Sequence, residues 1–167
     1  MPMLELILTI GIFAIISVFL LELFLSANAL QLKGKEMGKA TVMAESIAED
    51  IKGVADFEEG IQKRKFQKCY AKISRTKDGV CGIEDFQSTE KEGTELVYLL
   101  SLDENWKETD KKEVYQVVLI PSFLKESEGI MEDYEVCFFR IKGYASLFKK
   151  KSDILLYQLE FSKYRKK

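Results

Sequence analysis

Glu5 is the first residue in the chain able to do chemistry, and its setting is wrong for an ordinary surface acid. It stands at the edge of an apolar run, Leu6 to Leu21, softened only by Thr9, Gly11 and Ser17. Glu22 interrupts the run, and Leu23, Phe24 and Leu25 resume it. An ionisable group placed so is costly and needs a partner to explain it. No Lys or Arg occurs before Lys33, so the partner is not supplied by the neighbouring sequence. What Glu5 offers is a fixed negative charge inside an apolar environment.

Other chemistry is scarce. The 167 residues include no histidine, which excludes Ser-His-Asp and Cys-His arrangements and disfavours Cys/His zinc sites. No Gly-rich phosphate loop and no calcium-loop spacing occurs. The acid pairs Glu58/Glu59, Glu84/Asp85, Asp103/Glu104 and Glu132/Asp133 fall in polar stretches and read as solvated surface. No enzyme activity, metal or cofactor is expected. Of the three cysteines, Cys69 and Cys81 flank a short Gly-bearing loop and could form a disulfide outside the cell. Cys137, beside Phe138 and Phe139, reads as a buried free thiol.

Charge is uneven along the chain. Residues 84–135 hold fifteen Asp/Glu against five Lys/Arg, a net of −10, whereas residues 140–167 hold nine Lys/Arg against two Asp/Glu, a net of +7. The basic end, with Lys149, Lys150, Lys151, Lys163, Arg165, Lys166 and Lys167 interleaved with aromatics, is the one candidate nucleic-acid patch. Its alternative is a solvated terminus over core aromatics.

The elements that position these residues divide the chain into three parts. Residues 1–29 form an apolar helix with about twenty residues suited to cross roughly 30 Å of hydrocarbon. Residues 30–57 continue it as an amphipathic helix, with Leu30, Gly34, Met37, Thr41, Ala44, Ala48, Ile51 and Ala55 on one stripe and Lys, Glu and Asp opposite. Ala40, Met43, Ile47 and Val54 widen the stripe. Residues 58–167 read as a small β-rich domain. Strands are expected at 95–102, 114–120, 134–142 and 154–162, with a further short one at 68–73, a loop over 74–94 and polar connectors between the four. The fold class is therefore α+β: a long N-terminal helix, membrane-spanning in its first half, whose outer half packs on an antiparallel sheet of about four strands.

The N-terminal segment admits three readings. A cleaved secretory signal would use Ala27-Asn28-Ala29, yet the segment lacks a basic start and is too long. A plain single-pass anchor explains length and hydrophobicity but not Glu5, and Lys33, Lys35 and Lys39 after the span would place the β domain in the cytoplasm. The third comes from MLELILTIGIFAIISVFLLELF, which resembles the N-terminus of type IV pilins and pseudopilins. Met1 falls on the first mature position of that pattern and Glu5 on its acidic fifth. Glu22 stands where many major pilins carry a helix-breaking proline.

The resemblance implies a minor pilin or pseudopilin of a type IV pilus, a type II secretion pseudopilus or a competence pseudopilus. It implies a basic leader ending in Gly ahead of Met1, and partners comprising a prepilin peptidase, a membrane assembly platform, the lipid bilayer and other pilin subunits. The chain would be a single-pass inner-membrane protein with an extracytoplasmic β domain, later part of a cell-surface filament. Glu5 would meet the N-terminal amine of a neighbouring subunit, where two charges 4 Å apart gain about 4 kcal/mol at an effective dielectric of 20 before desolvation. Glu22 would face water or Lys33 and Lys35 of a neighbour. The rival reading is a signal-anchored extracellular binding or adaptor module that never polymerises; a DNA-contacting pseudopilin is compatible with the first.

Overall fold

The computed structural model describes residues 2–54, 56–77, 79–110, 113–125, 129–141 and 154–166; the side chains of Pro2, Val80, Cys81, 123–125, Arg165 and Lys166 lie outside that description. One helix, α1 (Pro2–Lys52), runs 51 residues without a break. At 1.5 Å per residue it is about 76 Å long. A short helix α2 (Phe57–Gln62) follows, and then six strands: β1 (Gln67–Thr76), β2 (Gly79–Gln87), β3 (Glu95–Leu102), β4 (Tyr115–Lys125), β5 (Gly129–Arg140) and β6 (Ile154–Lys166). They form one antiparallel sheet in the order β2-β1-β3-β4-β5-β6. The chain is α+β, with a long apolar helix packed at its far end on an antiparallel sheet.

Three boundaries differ from the sequence expectation. The helix stops at Lys52 instead of running to residue 57. The Gly53 N–H donates to Glu49 O at 2.8 Å, closing the last turn before the chain swings into α2. The sheet has six strands instead of four, because β1 and β2 pair as a hairpin across most of the expected loop at 74–94. β4 and β5 also extend through the expected connector, with Lys125 opposite Ile130. Pro121 is tolerated inside β4 because it lies past Leu119, the last β4 residue registered with β3. The strand is locally an edge there, and a missing N–H breaks no ladder.

The main core lies between α1 and one face of the sheet. Ala40, Ala44 and Ala48 recur every four residues and bring the helix axis close, with Ile47 and Ile51 filling the flanks. Opposite them stand Leu100, Leu102, Val117, Leu119, Val136 and Phe138. Phe57 of α2 stacks on Tyr134 at 4.8 Å, which in turn stacks on Phe161 at 5.2 Å, closing the end of this core farthest from the N-terminus.

The other sheet face is expected to be partly wet, yet it holds a second apolar cluster: Ala71, Val97, Val118, Ile120, Cys137 and Phe139, with Ile73, Ile83 and Phe86 packed against it. β1 pairs with β3 only from Gln67 to Ala71 and beyond that only with β2. The rest of the hairpin rolls over the outer face, so that Gly79 (φ 123) at its tip lies against Gln158 of β6. Arg75 ties the hairpin back to Glu95 through two hydrogen bonds, at 2.5 and 2.9 Å. Both faces of β4 and β5 are thus covered, which is why Val117–Ile120 and Val136–Phe139 are apolar at consecutive positions.

Ile47 is 1% exposed and Ile12 is 51% exposed. Ile47→Ala is expected to destabilise the detergent-solubilised chain by about 2–5 kcal/mol, and Ile12→Ala to leave the same unfolding transition in place, as read by chemical denaturation.

Candidate functional site

From Met3 to Leu32 no residue of α1 is buried, and only Glu22, Leu25 and Ala29 are half-buried. Those thirty residues extend the helix about 45 Å beyond the sheet. Among the described residues, every exposed large apolar side chain lies on α1 except Tyr164. An apolar surface of that extent marks an interaction site or a membrane segment. The helix is long and apolar enough to cross a bilayer, and none of its most apolar stretch is buried in the fold. Its hydroxyls suit such a medium: Thr9 Oγ1 donates to Glu5 O and Ser17 Oγ to Phe13 O, both at 2.8 Å, so neither needs water. The Glu5 side chain is exposed in the first turn, where the helix dipole favours an acid. Met1, the residue expected beside it, lies outside the described residues.

The seat of the helix on the sheet begins at a buried charge. Glu36 is 4% exposed and accepts a hydrogen bond from Tyr115 Oη at 2.8 Å and another from Arg140 Nη1, both on Oε1. Tyr115 and Arg140 are cross-strand partners at the adjoining ends of β4 and β5, so both project toward the helix. The Arg140 guanidinium also lies 5.8 Å from the Tyr115 ring centroid. Burial, then the hydrogen bond to Glu36 and its charge, push the Tyr115 phenol up to about 12. This corrects the expected polar face, which included Glu36. It also corrects the expected stripe, since Leu30 is 70% and Met37 39% exposed and Gly34 faces outward as well. Counting back in fours from Ala48 through Ala44 and Ala40 lands on Glu36, and that was the available signal.

The opposite end of the seat is fixed by another cation. Lys163 Nζ donates to Ile51 O at 3.0 Å, a carbonyl in the last turn of α1 with no helical partner, and to Val54 O just beyond the helix. Its cross-strand neighbour is Glu132, 2% exposed, which accepts from Tyr134 Oη at 2.7 Å. Arg64, in the turn after α2, reaches back to α1 with 2.9 and 3.0 Å bonds to Asp50 Oδ2 and a 2.7 Å bond to Ser46 Oγ. The bare helix is therefore held at both ends of its seat and along one flank.

The remaining expected site residues are dispersed. Lys163 faces the helix, which removes it from an outward basic patch; Lys149, Lys150, Lys151 and Lys167 lie outside the described residues, as do the side chains of Arg165 and Lys166. The Cys69–Cys81 disulfide is not formed, for Cys69 is a free thiol. The Cys81 side chain lies outside the description, but the register places its backbone beside the step between Ser74 and Arg75. That is about five residues, or roughly 17 Å, along β1 from Cys69, against a limit near 7 Å between bridged Cα atoms. Cys137 is buried and free, and burial followed by the nearby Glu135 charge drives its thiol far above the ordinary range, leaving it inert.

Compared with models of protein families, with characterised proteins and with solved structures, the chain gives no match.

Two outcomes follow from the Glu36 contact. Tyr115 gains its proton affinity on folding, so the stability it contributes is complete below its unfolded pKa of 10 and is lost as pH rises toward about 12. The thermal midpoint of wild type is expected to fall across that window, and Tyr115→Phe to remove this part of the fall. Arg140→Met strips a guanidinium from a buried carboxylate and is expected to cost about 3–5 kcal/mol in denaturant unfolding, most of it recovered by adding Glu36→Leu.

Proposed function

We propose that this chain is a structural subunit, a minor pilin or pseudopilin, stored in a bilayer by the bare half of α1 and assembled into a filament through it. The observation that carries the reading is that bare half: about 45 Å of exposed apolar helix, with an acid one turn from its start, held firmly to a covered sheet. A plain anchor needs the apolar length but gives Glu5 no task. It also needs no stiff continuation into the domain, and a flexible linker would serve it as well.

In this reading the bilayer and the filament core are alternative apolar surroundings for the same surface. Residues from Leu4 to Leu25 span about 33 Å and match the hydrocarbon thickness. Moving from lipid to neighbouring helices changes little in hydrophobic free energy, so packing and charge decide the register. A Glu5 carboxylate meeting the terminal amine of the next subunit supplies that decision, since an unpaired carboxylate in the core is strongly unfavourable. A leader-processing peptidase, an assembly platform in the membrane and an extracytoplasmic β domain complete the scheme. The machine is a type IV pilus, a type II secretion pseudopilus or a competence pseudopilus.

Glu5→Ala is expected to fractionate with membranes as wild type does, yet to be missing from sheared filaments or pseudopilus-enriched fractions. Incorporation at the wild-type level would refute the assembly role. Indifference of the wild-type chain to loss of the prepilin peptidase would favour a plain anchor.

A further inference from the structure

Three lysines stand on α1 just beyond its bare half: Lys33, Lys35 and Lys39. Lys35 and Lys39 are exposed and Lys33 is half-buried. The ion pairs among the described residues are Arg64–Asp50, Arg75–Glu95 and Arg140–Glu36, and none of the three lysines takes part. Glu36, the acid within one turn of them, is engaged by Tyr115 and Arg140. Lys35 and Lys39 are four residues apart on one face of the helix, where like charges repel. Gly38 lies beside them, and a Cβ there would meet nothing within 4 Å. The two lysines and Gly38 form one wall of a hollow of about 650 Å³, which Asn105 and Trp106 line from the sheet side. Arg64 also lines it but is held by Asp50. Lys33 lines a different hollow of about 550 Å³ with Met37, beside β6. The collar therefore presents three cations around the helix, and the described fold supplies no anion for them.

We propose that this collar binds anionic phospholipid headgroups of the phosphatidylglycerol class, in the leaflet nearest the sheet. The assignment rests on the reading that the bare half lies in a bilayer, and it holds whether or not a filament forms. The first argument is position. The bare half, Met3 to Leu32, is about 45 Å long, and a bilayer with its headgroup layers is about 40–45 Å thick. Lys33 and Lys35 thus stand where the headgroups end. Side chains on a helix lean toward its N-terminus, here toward the bilayer, and a lysine stem lies along apolar surface while its ammonium stays in a polar layer. Lys39 is one turn farther out, on the Lys35 side of the hollow. The second argument is charge. A lysine ammonium is a compact point charge suited to phosphate, and basic residues beside a span are drawn to an anionic leaflet. A phosphate seated between Lys35 and Lys39, over the open position of Gly38, relieves their mutual repulsion. Lipid is favoured over a free anion because the inserted helix itself carries the collar to the layer where lipid phosphates are concentrated. Binding there fixes the depth of α1 and keeps the sheet close to the surface.

The test uses the full chain reconstituted in nanodiscs of phosphatidylglycerol and phosphatidylcholine in equal parts, with retained lipid counted by native mass spectrometry. Wild type is expected to retain phosphatidylglycerol in preference to phosphatidylcholine. Lys35→Gln and Lys39→Gln are each expected to lower that preference about fivefold, with no change in the thermal midpoint in detergent. Lys35→Arg is expected to keep it, as is Lys72→Gln on exposed β1. Equal retention of the two lipids by wild type, or a preference untouched by both Lys→Gln changes, would overturn the assignment. A preference abolished by inorganic phosphate would overturn it in favour of a free-anion site. A chain that alkaline carbonate strips from vesicles would overturn the bilayer reading, and this assignment with it.

Discussion

A helix satisfies its own backbone hydrogen bonds, and this is the property on which the whole chain depends. It allows one element to serve as the core partner of a sheet at one end and to leave the protein entirely at the other. A strand could not do so, because thirty residues of unpaired N–H and C=O groups would have to be met by lipid or by chance neighbours. The two halves of α1 differ only in side chains. Ala40, Ala44 and Ala48 seat the far half close to the sheet, while Leu, Ile and Phe on every side of the near half leave it no preferred inward face.

The direction of the bare half is then a matter of how firmly the seated half is held. Glu36 is the last buried residue before the helix departs, and it is a carboxylate where an aliphatic residue would bury more cheaply. A buried ion pair seldom adds net stability, but it does reject alternatives. Sliding α1 by one turn would put Ala40 beside Arg140 and leave a buried cation facing a methyl group. Lys163 imposes the same condition from the other end, because its two acceptor carbonyls exist only where the helix terminates. With register fixed at both ends of the seat, the apolar shaft projects in one direction from the sheet.

How much of this is legible in the sequence depends on whether the partner is near or far. The stripe through Ala44, Ala48 and Ile51 is legible because period 3.6 is local. Strands β3 to β6 are legible because β-branched and aromatic residues cluster in them. Glu36 is legible only as the next position on the row of Ala40, Ala44 and Ala48; what satisfies a carboxylate there is Arg140, 104 residues away, which nothing local announces. The alternation of Tyr157, Leu159 and Phe161 does point on to Lys163, but nothing nearby indicates a helix end for it to cap. The β1–β2 hairpin is legible in one strand only: Cys69, Ala71 and Ile73 alternate with polar residues in the expected strand at 68–73 and meet the second core, whereas GVCGIEDFQ, with two glycines and adjacent acids, reads as loop. Glu5 is legible by type and position alone; the geometry adds that it stands exposed on a helix with no fold around it.

The double cover of the sheet finally bears on where association can occur. A sheet with one apolar face left open would compete with the helix as a sticky surface, and its edges would invite further strands. Here the hairpin rolled over Val118, Cys137 and Phe139 removes that face, and the large apolar side chains left exposed in the described β domain reduce to Tyr164. The apolar driving force available for association is therefore concentrated on α1 and on the flank beside it that Val42 and Trp106 share. A domain covered in this way leaves the bare half of α1 as the extended apolar surface among the described residues.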